Sequence, residues 1–387
     1  MKLRMQSAGL FAAAVLCAAA TAHGGGTEIA AGVAVQQDLF NAAMREGVAC
    51  YRIPALATAV NGDLLAAIDE RVASCKDLGE NPNINIVLRR SSDLGLTWSP
   101  IQTIVDFPEG LSASDPSLIV DRQTGAIFLF YNYMDHFAAR GEYRLHVLRS
   151  NDHGLTWQAP EDITDQITPD AWRKDFKFIT SGEGSQAQSG MLLHTLVNLK
   201  HGLHAFGSKD HGQTWFLVNT PLVPGDESRI IELTDGTWMV NSRVKKAGMR
   251  YVHRSSDQGK SWSTAPDPQL ADPGCNASLI RYTGMEDGHT RSRLLFSNAD
   301  SADKRRNLSV RISYDEGMTW SKGKTIHGGS AAYSSLAVLP NGDIGLLFEA
   351  DDYTANFFVR FTLDWLTDGQ DHADNPAWPG AASAPTE

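Results

Sequence analysis

Residues 150–157 read SNDHGLTW, and close copies recur as SSDLGLTW at 91–98, SKDHGQTW at 208–215, SSDQGKSW at 255–262 and SYDEGMTW at 313–320. The repeated aspartates, Asp93, Asp152, Asp210, Asp257 and Asp315, stand 59, 58, 47 and 58 residues apart. Periods of that length mark propeller blades or solenoid units, and the segments before each octapeptide decide between them. RIPALATAV, the turn NGD, LLAAID and INIVLRR precede the first copy, and equivalent β-rich runs precede the second and fourth. After the last copy come SSLAVL, PNGD, IGLLFEA and NFFVRFTL. Six units of three or four strands, only the last without an octapeptide, predict an all-β chain: a six-bladed β-propeller of four-stranded antiparallel blades. A solenoid would repeat at a shorter interval.

The octapeptide's own chemistry suits a turn between the third and fourth strands of a unit. Aspartate accepts bonds from nearby backbone amides, glycine takes positive φ, and tryptophan packs between sheets. A calcium loop would need more oxygen ligands at alternating positions than S-x-D-x-G offers. In an antiparallel unit the turn from strand three to strand four lies opposite the start of strand one, the end of strand two and the start of strand three. Functional residues are therefore expected away from the repeats.

At those opposite ends the sequence places Arg52, Asp69, Arg71 and Asp77 in the first unit and Asp115 in the second. Glu227 and Arg243 fall in the fourth unit, Arg305 and Arg306 in the fifth, and Tyr333 and Glu349 in the sixth. Arginines from several units converging on an axis imply an anionic ligand, because guanidinium is a planar fork matched to carboxylate or phosphate. Glu349 is expected to pair with Arg52. Tyr333 with Glu227 forms a second constellation, since a phenol becomes a nucleophile when a carboxylate within hydrogen-bond reach takes its proton. Asp77 is a protonated acid if apolar groups surround it.

The chain resembles the exo-α-sialidase (neuraminidase) family with Asp-box repeats. The resemblance rests on YRIPAL at 51–56, the five octapeptides, DES at 226–228 with NSR at 241–243, RRNLSVRISYDEGMTW at 305–320 and AAYSSLAVLPNGDIGLLFE at 331–349. It implies that Arg52, Arg243 and Arg305 clamp the carboxylate of sialic acid, with Glu349 orienting Arg52. It further implies Tyr333 as nucleophile, Glu227 as its base, Asp77 as general acid/base, and Arg71 and Asp115 near the sugar's 4-hydroxyl. The expected activity is retaining hydrolysis of terminal sialic acid from sialylated glycoproteins, glycolipids or oligosaccharides, without a cofactor. The chemistry accounts for the tyrosine, because a carboxylate nucleophile would approach the substrate's own carboxylate against like charge. A trans-sialidase, an intramolecular variant releasing an anhydro product, and a sialoglycan-binding propeller without activity are the alternatives. The Gly-rich segment SGEGSQAQSGMLLHT at 181–195 departs from the family in His194, where proline is common. The stretch YNYMDHFAARGEYR at 131–144 is either an aromatic wall of the site or ordinary packing of the second unit.

The remaining features set the context. A net charge of −11 argues against nucleic acid, and Lys304-Arg305-Arg306 is by composition a solvated turn rather than a phosphate-binding patch. Residues 1–22 read as an export signal, with Lys2 and Arg4 before an apolar run and Ala20-Thr21-Ala22 at the cleavage point, so a secreted or periplasmic product is expected. No later stretch is apolar for long enough to insert in a membrane. Residues 23–44 read as a linker, 45–367 as the catalytic propeller and 368–387 as a flexible tail. Beyond the signal stand Cys50, Cys75 and Cys275, with Cys50–Cys75 the expected disulfide and three buried thiols the alternative. Neither cysteines nor histidines show metal-ligand spacing, and no metal is expected.

Overall fold

The computed structural model describes residues 30–72 and 74–374. The expected export signal, residues 1–22, lies outside them, as do residues 375–387 of the expected tail. The fold is all-β. After a first strand β1 (Val35–Phe40), the strands β2 (Cys50–Thr58), β3 (Leu64–Arg71), β4 (Ile84–Ser91) and β5 (Gln102–Val105) form an antiparallel meander. The next sheet repeats this with β6 (Leu111–Val120), β7 (Ile127–Asp135), β8 (Arg144–Ser150) and β9 (Glu161–Asp162). In the third, β10 (Lys177–Ile179) and β12 (Ser185–Gln186) both pair with β13 (Leu192–Asn198), while β11 (Gly182–Glu183) between them runs parallel beside β6. Strands β14 (Gly202–Ser208) and β15 (Phe216–Leu217) complete it. The fourth holds β16 (Ser228–Glu232), β17 (Trp238–Ser242), β18 (Met249–Ser255) and β19 (Ser263–Ala271).

The rest of the chain departs from six separate four-stranded units. Strands β20 (Ser278–Thr283), β21 (Arg293–Ala299), β22 (Arg306–Ser313), β23 (Lys324–Val338), β24 (Ile344–Ala350) and β25 (Ala355–Phe361), with β1 at the far edge, make one seven-stranded sheet. The 15-residue β23 joins two quartets: Lys324 to Ser330 pair with β22, and Ala331 to Val338 pair with β24. The described residues therefore form five sheets rather than six.

Two sequence boundaries also shift. The stretch read as a linker includes β1, which hydrogen-bonds along β25 from Val35↔Arg360 to Phe40↔Asn356. Leu39 and Phe40 are buried in a cluster with Tyr51, Leu64, Leu347 and Phe358, so the chain's first strand joins the last quartet to the first sheet. The reason is an edge: without β1, the backbone groups of β25 would lie unpaired. Residues 371–374 are likewise docked, because the buried guanidinium of Arg293 needs counter-charges and finds them in Asp371 (2.7 and 2.9 Å) and Asp374 (3.1 Å).

Hydrophobic clusters fill the spaces between neighbouring sheets, and the octapeptides help to seat them. In the first copy Ser91 Oγ donates to Asp93 Oδ1 and accepts from the Gly95 amide, both at 2.8 Å, and Asp93 accepts from the Thr97 amide (2.8 Å) and hydroxyl (2.6 Å). The hydroxyl of Thr97 first, then its amide, holds the Asp93 carboxyl below its ordinary pKa. Gly95 has φ +81°, and a Cβ there would lie 2.2 Å from the Phe358 ring on β25. The same glycine in the second copy abuts Leu65 of the preceding sheet. Each octapeptide is thus a turn whose glycine makes room for a neighbouring sheet.

If β1 seals the circuit, Phe40→Ala should cost about 3 kcal/mol of unfolding free energy in urea, as expected for a fully buried phenylalanine. A linker residue would lose less than about 0.5 kcal/mol.

Candidate active site

The side chains that matter stand where regular strands break. The pairing of β2 with β3 shifts between Arg52 and Ala55, that of β6 with β7 between Ser114 and Ser117, and that of β23 with β24 between Ala331 and Ser334. At these irregularities Ile53 (φ 67°) and Asp115 (φ 64°) adopt left-handed backbone, Arg52 is the last paired residue before one break, and Tyr333 lies within another. Bulges re-aim side chains out of the pleat, and here they turn charged and phenolic groups towards one place. Glu227 directly precedes β16, Arg243 directly follows β17, and Arg305 directly precedes β22.

Three arginines meet at Tyr333. Arg243 Nη1 donates to the Tyr333 hydroxyl at 2.9 Å, and the Arg52 and Arg305 Cζ atoms lie 5.7 and 5.4 Å from the centre of its ring. The Tyr333 hydroxyl donates to Glu227 Oε2 at 2.6 Å, and Arg243 Nη1 also bonds that oxygen. Burial, then the charge of Glu227, pushes the Tyr333 phenol well above its ordinary pKa, with Arg243 and Arg305 pulling the other way. The phenol is therefore neutral at pH 7, with a base already hydrogen-bonded to it. Arg52 pairs with the fully buried Glu349 through Nε (3.0 Å) and Nη2 (3.3 Å). Of the two adjacent arginines, Arg305 reaches the cluster, while Arg306 is exposed.

A second cluster adjoins the first. Arg71, fully buried at the end of β3, pairs with Asp69 Oδ2 (3.0 Å) and Asp77 Oδ1 (2.8 Å), and Arg52 Nη1 lies 3.8 Å from the same Asp77 oxygen. Asp69 also accepts from Ser114 Oγ (2.7 Å) and the Asp115 amide (2.8 Å), and Asn132 donates to Asp115 Oδ2 at 3.1 Å. Burial, then the charge of Asp69, raises the Asp115 carboxyl pKa.

The apolar surroundings that would keep Asp77 protonated are not found in the free site. The Asp77 side chain is 82% exposed and faces guanidiniums rather than apolar groups. Partial desolvation by the surrounding loop favours the neutral acid, but Arg71 and then Arg52 and Arg305 outweigh it, and the carboxyl sits below its ordinary pKa. Without a ligand it is ionised at neutral pH. The loop that carries it is tied down by the Cys50–Cys75 disulfide and by Arg71 Nη1 donating to the Cys75 carbonyl at 2.8 Å. Cys275 is free and buried, packed with Ile53, Ala332 and Tyr333.

The nine residues to which the resemblance assigns roles, Arg52, Arg71, Asp77, Asp115, Glu227, Arg243, Arg305, Tyr333 and Glu349, belong to these two adjoining clusters, as does Asp69. His194 is not at their rim: it is buried, bonded to Ser117 (2.6 Å) and stacked on Phe206. In the 131–144 stretch Tyr131 and Tyr133 pack on His146, which is interior packing, whereas the Tyr143 phenol is raised by burial and then by the charges of Asp115 and Asp77. Tyr353 escaped the sequence reading, although its ring lies 4.1 Å from Arg52 Cζ and its hydroxyl accepts from Arg305 Nη1 at 2.9 Å. Its only sequence signal is its place four residues after Glu349.

Repeated antiparallel units closed by five Asp-box turns, with arginines, a tyrosine–carboxylate pair and an aspartate gathered at one site, place the chain among the all-β Asp-box proteins. The family model for the BNR repeat-like domain matches residues 63–346. A sialidase of Micromonospora viridifaciens is 38% identical over 350 residues, covering 83% of this chain and 53% of its own length. Mouse sialidase-2 is 28% identical over 82% of this chain and 94% of its own. Among solved structures, the Hadza microbial sialidase Hz136 superposes with a TM-score of 0.74 at 28% identity, over 82% of this chain and 66% of that one. The chain belongs to the BNR-repeat sialidase family. It spans about half the length of the Micromonospora relative.

The disulfide that holds the Asp77 loop closes a separation of 25 residues, so Cys75→Ser should lower unfolding free energy by about 3 kcal/mol. Urea titrations with and without dithiothreitol check this: reductant should reproduce the loss in the unmutated protein and leave the variant unchanged.

Proposed function

We propose that the protein is an exo-α-sialidase, a six-bladed β-propeller exported through its first 22 residues, that removes terminal sialic acid from glycoconjugates by a retaining two-step route. The observation that carries this reading is Tyr333, its hydroxyl 2.6 Å from Glu227 and bonded by Arg243, with Arg52 and Arg305 against its ring. Arg52, Arg243 and Arg305 bind the substrate carboxylate. Tyr333 Oη then attacks the anomeric carbon while its proton passes to Glu227 and the departing glycan oxygen takes a proton from Asp77. In the second step a water gives its proton to Asp77, its oxygen displaces Tyr333, and Glu227 returns the phenolic proton. The arginines stabilise the charge that develops on the way. Arg71 and Asp115 face the 4-hydroxyl side of the sugar. The Cys50–Cys75 disulfide supports export, since such bonds persist in oxidising compartments.

Asp77 must acquire its proton from solvent when substrate binds. The entering carboxylate neutralises Arg52 and Arg305, which add to Arg71 in holding Asp77 ionised, and the bound sugar excludes water from it.

Proton NMR of the protein with 3′-sialyllactose reads the reaction directly. Free α-sialic acid appearing first, with later conversion to β, is the expected result; an anhydro product would assign the chain to intramolecular transfer, and saturable binding without product would leave a sialoglycan-binding module. Tyr333→Phe should bind N-acetylneuraminate nearly as well as wild type while losing at least about a thousandfold in kcat. Asp77→Asn should slow sialyllactose by roughly 10²- to 10⁴-fold and an activated aryl sialoside far less. Equal losses on the two substrates would remove Asp77 from the acid role.

A further inference from the structure

The backbone leaves β24 through an improbable path. Asp351, Asp352 and Tyr353 follow one another at φ 49°, 53° and 71°, three left-handed residues in a row with no glycine among them. Such a run persists only where its surroundings over-determine it, and it tends to mark a site of function. The determinants are local. Asp352 Oδ1 accepts from Ser330 Oγ at 2.8 Å, the Asp352 amide donates back to that oxygen at 3.1 Å, and the Thr354 hydroxyl donates to the Asp351 carbonyl at 2.7 Å.

What the strained turn delivers is the Tyr353 side chain. Its ring lies under the Arg52 guanidinium at 4.1 Å, and its hydroxyl accepts from Arg305 Nη1 at 2.9 Å. Arg305 stands apart from the other two arginines in this respect. Arg52 is fixed by Glu349 and Arg243 by Glu227, whereas Arg305 has no carboxylate within 4 Å among the described residues. A long side chain with one charged end and no fixed partner samples many rotamers, and ordering it on binding costs affinity. The ring face also supplies negative electrostatic potential to the Arg52 guanidinium, while the hydroxyl of the same ring holds Arg305.

We propose that Tyr353 is a positioning residue that fixes Arg305, and screens Arg52 from it, so that the three arginines stand ready for one carboxylate. The inference rests on the sialic-acid reading for the identity of that carboxylate, but the ordering of Arg305 is a property of the free protein. Tyr353→Phe removes the accepting oxygen and leaves the ring over Arg52. In 15N-labelled protein, the Arg305 Nε–Hε resonance, assigned through Arg305→Lys, should shift and narrow towards a freely rotating side chain in the variant. The Kd for N-acetylneuraminate should rise roughly 3- to 10-fold, part of the worth of one hydrogen bond to a charged group, because Arg305 can still reach the ligand once ordered by it. With sialyllactose the loss should fall on KM more than on kcat. An Arg305 resonance and a Kd both unchanged in Tyr353→Phe would overturn the proposal. If the wild type binds no N-acetylneuraminate while the Arg305 resonance still moves, the positioning role stands and the sialic-acid reading falls.

Discussion

One buried carboxylate ties the fold to the site. Glu349, fully excluded from solvent, accepts from Arg52 Nε and Nη2, from the Ile53 amide (2.8 Å) and from the Tyr333 amide (3.1 Å). An ionised carboxylate taken out of water is costly unless its lone pairs are filled, and four donors fill these. Two of the donors sit at strand irregularities, where backbone amides are freed from the sheet ladder. The same carboxylate therefore bridges β2 and β23, compensates two bulges and aims Arg52. Removing it would strand a buried guanidinium and two amides together.

The second constraint is electrostatic crowding. Arg52, Arg71, Arg243 and Arg305 approach within one site, and each of the first three is matched by an acidic partner from Glu349, Asp69, Asp77 and Glu227. Such matching lets the charges remain in place without a ligand while leaving guanidinium N–H groups to spare, since each arginine carries five. It also explains why Asp77 stays acidic despite the loop around it: positive groups outnumber negative ones on its side.

Much of this arrangement was legible in the sequence because it follows from period and polarity. The five octapeptides announced repeated sheets, and antiparallel geometry then put Arg52, Asp115, Glu227, Arg243, Tyr333 and Glu349 at the end opposite the turns, where they are found together. What escaped has a common cause, namely contacts between segments distant in the chain. VQQDLF at 35–40 carries no repeat signal, and only the open edge of β25 gives it a partner. The fusion of two quartets through β23 depends on a chain that continues straight across a boundary, and the composition of GGSAAYSS does not mark it. The surroundings of Asp77 were left open by the sequence, because hydropathy along the chain says nothing about which guanidiniums fold over a loop. Tyr353 was invisible because its place depends on three consecutive left-handed residues that aspartate and tyrosine rarely adopt.

Under the proposed mechanism, the pairing of Tyr333 with Glu227 and Arg243 bears on how one site would both bind an anion and use a phenol. Burial and then the charge of Glu227 keep the phenol protonated in the free site, against the pull of Arg243 and Arg305. Arg243 contacts both the phenol and its base, so a carboxylate drawing on Arg243 weakens its hold on Glu227. In the proposed route Glu227 then accepts the phenolic proton at the moment the substrate is in place. Binding and activation would be coupled through one shared guanidinium, with no movement of the backbone required.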